Sequence, residues 1–210
     1  MNIYNVIILD ESGSMSSIYK PTIQSMNEVI SGIRKSQNEF PEQRHYVTIV
    51  TFEGSGPEGV KTRRDRVPVQ TVEDFTEMDY CPGGCTPLYD AMGITLNNLE
   101  SLILPEDKVM ATVITDGYEN SSREYSGNTI RALTQRLREK GWVLAYIGAN
   151  QDAVEVARDL NIRNAMNFEA TPKGMADTGV RFSMAHRKMA CRLAADANDC
   201  MDDLYDGIDK

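Results

Sequence analysis

The chain is short of the groups that most hydrolases use as bases and most secreted domains use as cross-links. Its 210 residues include two histidines, His45 and His186, and four cysteines with no paired framework. A nucleophilic serine needs a base within hydrogen-bond reach, so a Ser-His mechanism is restricted to two positions. Unevenly spaced thiols suit a reducing compartment. Apolar runs are also short: none reaches the 18 residues a membrane helix needs. No basic-then-apolar leader precedes the first apolar segment, which begins almost at Met1. These absences predict a cytoplasmic protein without membrane attachment. Positive charge is in the minority, with 22 Lys and Arg against 31 Asp and Glu and a net charge of -9. Such a surface repels phosphate backbones, so nucleic acid is not an expected partner.

What is present is an ordinary globular composition, 41% hydrophobic and 25% charged, enough for one α/β domain over residues 1–210. Its organising stretch is Val6-Ile7-Ile8-Leu9 followed at once by Asp10-Glu11-Ser12-Gly13-Ser14. Four consecutive apolar residues read as a strand covered on both faces, and the polar residues as the loop at its carboxyl end, where ligands sit in open α/β sheets. Asp10, Ser12 and Ser14 place three side-chain oxygens on one tight turn, a donor set for a hard divalent cation.

The pattern Asp10-x-Ser12-x-Ser14 after a first apolar strand resembles the metal ion-dependent adhesion site of the von Willebrand factor A (vWA) domain, here an intracellular bacterial-type member. The family's remaining two site residues occur in order. Thr86 lies in Gly83-Gly84-Cys85-Thr86-Pro87-Leu88, and Asp116 follows Val113-Ile114-Thr115. Three separated motifs, each at the end of a strand-like run, make the match far more specific than Asp-x-Ser-x-Ser alone. The resemblance implies a three-layer, doubly wound, mostly parallel sheet and a metal site of Asp10, Ser12, Ser14, Thr86 and Asp116. Two carboxylates and three hydroxyls suit Mg²⁺ or Mn²⁺. In the family one coordination position stays open, so the implied function is protein binding, with a partner's Glu or Asp completing the shell. No sequence feature sets an oligomeric state.

The alternative is an enzyme. An apolar strand ending in aspartate is similar to haloacid dehalogenase-type phosphatases, metal-dependent phosphohydrolases in which a second aspartate two residues on acts as acid and base. Here that position is Ser12, which cannot protonate a leaving group. His45 is expected at the sheet's amino edge and His186 on the last helix, neither placed to activate Ser12 or Ser14. Gly54-Ser55-Gly56-Pro57-Glu58-Gly59 spells the dinucleotide fingerprint but precedes a strand-like segment rather than a helix, so it is read as a turn. Cys81 and Cys85 lack a second pair for zinc and the spacing of a redox motif. Cys191 and Cys200, nine residues apart on a helix, fall on opposite faces.

Along the chain, periodicity predicts helices over 21–35, from 86, over 129–140, after Asp152 and from 172, with strands at 45–52, 60–69, 108–115, 143–147 and 165–168. Strand and helix alternate except for one hairpin at 45–69, which should give a single antiparallel edge strand. Thr86-Pro87 reads as a helix cap followed by proline in the first helical position. Val72–Met78 reads as a short helix or turn, and Lys61 to Arg66 as a solvated basic face. Glu11, Tyr118, Glu119 and Asn120 surround the metal loops, with Glu119 taken as a solvated charge or a partner contact. From Pro172 one helix is expected to the end, striped with Met175, Phe182, Met189, Leu193, Cys200 and Leu204. Its acids, from Asp196 to Asp209, oppose the dipole at a helix carboxyl end, so the last turns should fray or meet a basic partner.

Overall fold

The computed structural model describes residues 1–149, 152–195, 201 and 203–208. Among these, a sheet of six strands carries helices on both faces. The strands are β1 (Asn2–Asp10), β2 (Arg44–Phe52), β3 (Val60–Pro68), β4 (Lys108–Thr115), β5 (Val143–Gly148) and β6 (Asn164–Asn167), in the order β3-β2-β1-β4-β5-β6. All neighbours are parallel except β2 and β3, which form the expected antiparallel hairpin at the edge. The helices are α1 (Tyr19–Glu39), α2 (Leu88–Glu100), α3 (Gly127–Glu139), α4 (Ala153–Asp159) and α5 (Pro172–Ala194).

Alternation along β1 divides the core in two. Ile3, Ile7 and Leu9 point to the layer containing α1 and α5, whereas Val6 and Ile8 point to that of α2, α3 and α4. Both faces of β1 are therefore covered, which is why its sequence is a continuous apolar run rather than an alternating one. The chain passes from β1 to β2 on one side and returns to β4 on the other. The carboxyl ends of β1 and β4 thus flank the point where strand order reverses, which is where the crevice of an open α/β sheet lies.

α5 meets α1 through small residues. A Cβ on Gly32 would stand 2.7 Å from the Ser183 Cβ, and one on Gly179 3.0 Å from the Ser25 Cα. Ser25 Oγ donates to the Met175 carbonyl at 2.6 Å, which fastens the two helices together.

Several expectations are corrected. α5 does not run to the end: it stops at Ala194, and residues 203–207 form turns. Asn164 draws this segment onto the sheet, accepting from Leu204 N and donating to the Met201 carbonyl, so Leu204 is buried from a turn rather than from a helix. Asp203 pairs with Arg192 at 2.5 Å, so this acid meets a basic partner within the chain. Cys200 and the acids at 196, 199, 202 and 209 lie outside the described residues. Of the two forms expected for the segment 72–78 it takes the turn, at 77–79, after a 3-10 turn at Val69–Thr71 and irregular residues up to Thr76. The Lys61–Arg66 stretch keeps Lys61, Thr62 and Asp65 exposed on the edge strand, as expected, but its charges are paired. Arg63 reaches Glu11 and Arg64 reaches Asp79, both half-buried, and Lys61 pairs with Glu53.

Candidate metal centre

The first loop leaves β1 at Asp10, which still pairs in register with Phe52. Asp10 is fully buried. Its Oδ1 accepts from Ser12 N at 2.7 Å, an aspartate turn of the kind that reverses a chain locally, and its Oδ2 accepts from Thr115 Oγ1 at 2.5 Å. The Tyr80 hydroxyl donates to the Asp10 carbonyl at 2.8 Å. A 3-10 turn over Gly13–Ile18 follows, anchored by buried Met15 and Ile18. The Ser12 side chain does not cap it. Instead its hydroxyl faces that of Ser14 at 3.1 Å, and Ser14 Oγ donates to Asp116 Oδ1 at 2.5 Å.

The second loop brings Thr86. It is not a helix cap, as the sequence suggests: Pro87 occupies the cap position of α2, and no side chain of its own end serves. The free amides of that helix end are taken by the third loop, where Glu119 Oε2 accepts from Tyr89 N at 3.0 Å and Ser122 Oγ from Asp90 N at 3.0 Å. Glu119 also accepts from Ser121 N and Ser122 N, so it organises the loop rather than standing as a solvated charge. Asn120 completes the tie, its Oδ1 accepting from Thr86 N at 2.9 Å while its own N donates to the Thr86 carbonyl. Asp90, buried on α2, accepts from the backbone N–H groups of Arg123, Glu124 and Tyr125. The Thr86 and Asp116 loops are thereby one unit.

Gly117 sits against the convergence. A Cβ there would stand 3.5 Å from Thr86 Oγ1 and 3.7 Å from Ser14 Oγ. The structure thus brings Asp10, Ser12, Ser14, Thr86 and Asp116 to one place at the crevice. Among the described residues no group of three or more His, Cys, Asp and Glu converges, so the donor set is rich in hydroxyls and limited to two carboxylates. Burial pushes the Asp10 carboxyl up to about 6, further raised by Asp116, against the bonds from Thr115 and Ser12. Asp116 is raised by burial too. Desolvation thus favours the protonated form of both carboxyls, and a cation entering between them and the neighbouring hydroxyls would have to displace that proton.

Neither histidine approaches the crevice. His45, near the amino end of β2, donates from Nε2 to Gln43 Oε1, because that glutamine's amide nitrogen is committed to the Ala190 carbonyl. His186 is buried on α5 against Phe182. Residues that act across loops were not legible in the sequence: Thr115 beneath Asp10, Tyr80, Asp90, and Arg63, which engages the Glu11 expected only beside the loops. The Gly54–Gly59 stretch contains a 3-10 turn at Pro57–Gly59 leading into β3, with no helix to hold a pyrophosphate.

No family model matches the chain, and no curated protein matches it. Solved structures do. Proximal thread matrix protein 1 from the mussel byssus is 15% identical, with a TM-score of 0.58, over 90% of this chain and 46% of that one. The same protein has been solved "with zinc occupied MIDAS motif", MIDAS being the metal ion-dependent adhesion site. The SpRpn10 VWA domain is 14% identical, with a TM-score of 0.55, over 85% of this chain and 93% of that one. Manganese-loaded Plasmodium vivax TRAP protein is 14% identical, with a TM-score of 0.54, over 89% and 73%. The chain thus spans under half of the first of these proteins and nearly all of the second. It has the fold of a vWA domain.

Proposed function

We propose that the chain, as a single domain over residues 1–210, is a metal-dependent protein-binding module. Asp10, Ser12, Ser14, Thr86 and Asp116 would hold one divalent cation, Mg²⁺ or Mn²⁺, and a Glu or Asp of a partner protein would complete the shell. The observation that carries this reading is the joining of two carboxylates and three hydroxyls from three loops at the point where strand order reverses. Two of the structural relatives are described with zinc or manganese, the zinc at this kind of site.

Bound there, a divalent ion would supply a Lewis-acidic position open to an incoming carboxylate. The chain's own residues fix what surrounds it. Thr115 and the Ser12 amide orient the two oxygens of Asp10, Ser14 links the first loop to Asp116, and Asn120 with Glu119 holds the Thr86 loop against the third. Gly117 leaves uncluttered the space next to the Thr86 and Ser14 hydroxyls.

Binding rather than hydrolysis is supported by Ser12, where a phosphohydrolase would need an acid, and by the burial of both histidines away from the crevice. A protein partner is favoured over nucleic acid by the net charge of -9. A cytoplasmic setting suits the free, exposed Cys81, Cys85 and Cys191. The test is capture of partner proteins by the immobilised chain, repeated with EDTA and with Asp10→Ala. Proteins that bind only the wild type, and only with the ion present, support the reading. Binding unchanged by both treatments contradicts it.

A further inference from the structure

We propose that Glu11 and Arg63 form a positioning clamp that sets the second loop, and with it Thr86, against Asp10, Ser12 and Ser14. The inference rests on the metal-binding reading above and assigns two residues to it that the family pattern leaves unspecified, one of them on the edge hairpin.

Glu11 is the variable residue of the Asp10-x-Ser12 motif, and a charge there would ordinarily face water. It is instead 1% exposed. Its carboxylate turns away from the serine hydroxyls and crosses the end of β2 to β3, where Arg63 Nη2 donates to both its oxygens at 3.1 and 2.9 Å. The guanidinium is fixed in turn, Nε donating to Thr51 Oγ1 at 2.9 Å. A buried carboxylate held by one partly exposed cation is costly to form and is kept only when further hydrogen bonds complete it. The further bond here comes from the second loop, with Cys81 N donating to Glu11 Oε1 at 2.5 Å.

The backbone repeats the same connection. Gly83 N donates to the Glu11 carbonyl at 2.8 Å and Gly13 N to the Gly84 carbonyl at 3.2 Å, while Glu11 N donates to the Phe52 carbonyl. Gly84 has φ +62°, and a Cβ on it would meet the Gly54 backbone nitrogen at 2.7 Å, so the loop lies flat against the hairpin turn. Between Cys81 and Thr86 there are only four residues. A displacement of the Cys81 end is therefore carried directly to the Thr86 hydroxyl, whose other side is held by Asn120. Glu11 and Arg63 touch none of the five proposed ligands through their side chains; they act through the loop that carries one of them, as partners beyond the ligands commonly do in metal sites.

The experiment is Mn²⁺ calorimetry on the full chain at a temperature where circular dichroism shows every variant folded. The variants are Glu11→Ala, Glu11→Gln and Arg63→Lys, with Asp116→Ala as the reference for losing a ligand. Glu11→Ala should weaken Mn²⁺ binding about 10- to 100-fold, the range for residues supporting metal ligands. Glu11→Gln, whose amide oxygen still accepts from Cys81 N but whose nitrogen would face Arg63 Nη2, should recover part of that loss, and Arg63→Lys, lacking the second donor to Thr51, should also fall between wild type and Glu11→Ala. A purely structural role would lower the melting temperature of these variants without moving the Mn²⁺ affinity of the folded protein. If the wild type binds and Asp116→Ala does not, yet Glu11→Ala and Arg63→Lys bind within about twofold of wild type, against the range expected of such residues, the clamp is overturned and the site reading stands. If Asp116→Ala binds as the wild type does, the site reading fails and the clamp with it.

Discussion

Ser14 Oγ donates a hydrogen bond to Asp116 Oδ1 at 2.5 Å across 102 residues of sequence. One residue lies at the start of the 3-10 turn after β1 and the other begins the loop after β4, so the contact joins the two edges of the crevice where strand order reverses.

The raised pKa of Asp10 sets the pH dependence of ion binding. Without an ion Asp10 titrates at about 6, so below that pH an incoming cation must displace a proton. Mn²⁺ affinity should rise from pH 5 to about 7 and then level off. The sign for stability follows: a carboxyl whose folded pKa exceeds its unfolded value favours the ion-free fold at low pH and loses that contribution as pH rises through about 6. The thermal shift produced by Mn²⁺ should therefore be larger at pH 7.5 than at pH 5, measurable by scanning fluorimetry, and Asp10→Asn should flatten the difference.

The buried histidines act in the opposite sense. Burial lowers His45 to about 4 and His186, with help from His45, to about 3. Both are neutral in the fold and charge more readily when unfolded. Their contribution is complete above the unfolded value near 6.5 and is lost as pH falls from there through about 4 for His45 and about 3 for His186. For His45 alone the change is about 3 kcal/mol. Urea unfolding at pH 7 and pH 4.5 should show the loss, and His186→Leu should reduce it.

Gly117→Ala separates ion binding from partner binding. The added methyl meets Thr86 Oγ1 and Ser14 Oγ at ordinary contact distance, so stability should change by no more than about 0.5 kcal/mol. A carboxylate approaching those hydroxyls would meet the methyl. Partner capture should fall by about tenfold or more, equivalent to about 1.4 kcal/mol, while Mn²⁺ affinity changes less.

Asp90→Ala removes the acceptor for three consecutive backbone N–H groups, those of Arg123, Glu124 and Tyr125. The expected cost is about 2 to 3 kcal/mol in urea denaturation, because part of that loop is screened from water. Asp90→Asn, which keeps an acceptor oxygen, should recover part of it.

The sheet was legible wherever residues speak for themselves. Lys108 to Thr115 reads as a strand and is one, and Gly141, with φ +83°, lies just beyond α3 as expected. The five oxygen-bearing residues were legible because each stands at the end of an apolar run. Pairings across long separations were not. Thr86-Pro87 imitates a capped helix start, but the acceptor that the helix end uses comes from Glu119, 30 residues further on. Glu11 and Arg63 are both charged, and only the hairpin's register brings them together. The stripe running from Met175 to Leu204 predicted one helix, yet Asn164 and Arg192 bring Leu204 back from a turn.

The most direct test of the account is the stoichiometry and affinity of Mn²⁺ binding to wild type, Asp10→Ala and Asp116→Ala, measured by calorimetry at pH 7.5. The account predicts one ion per chain for the wild type and loss of that binding in both variants, since each removes one of the two carboxylates at the crevice. Unchanged binding by the two variants would place the ion elsewhere and contradict it.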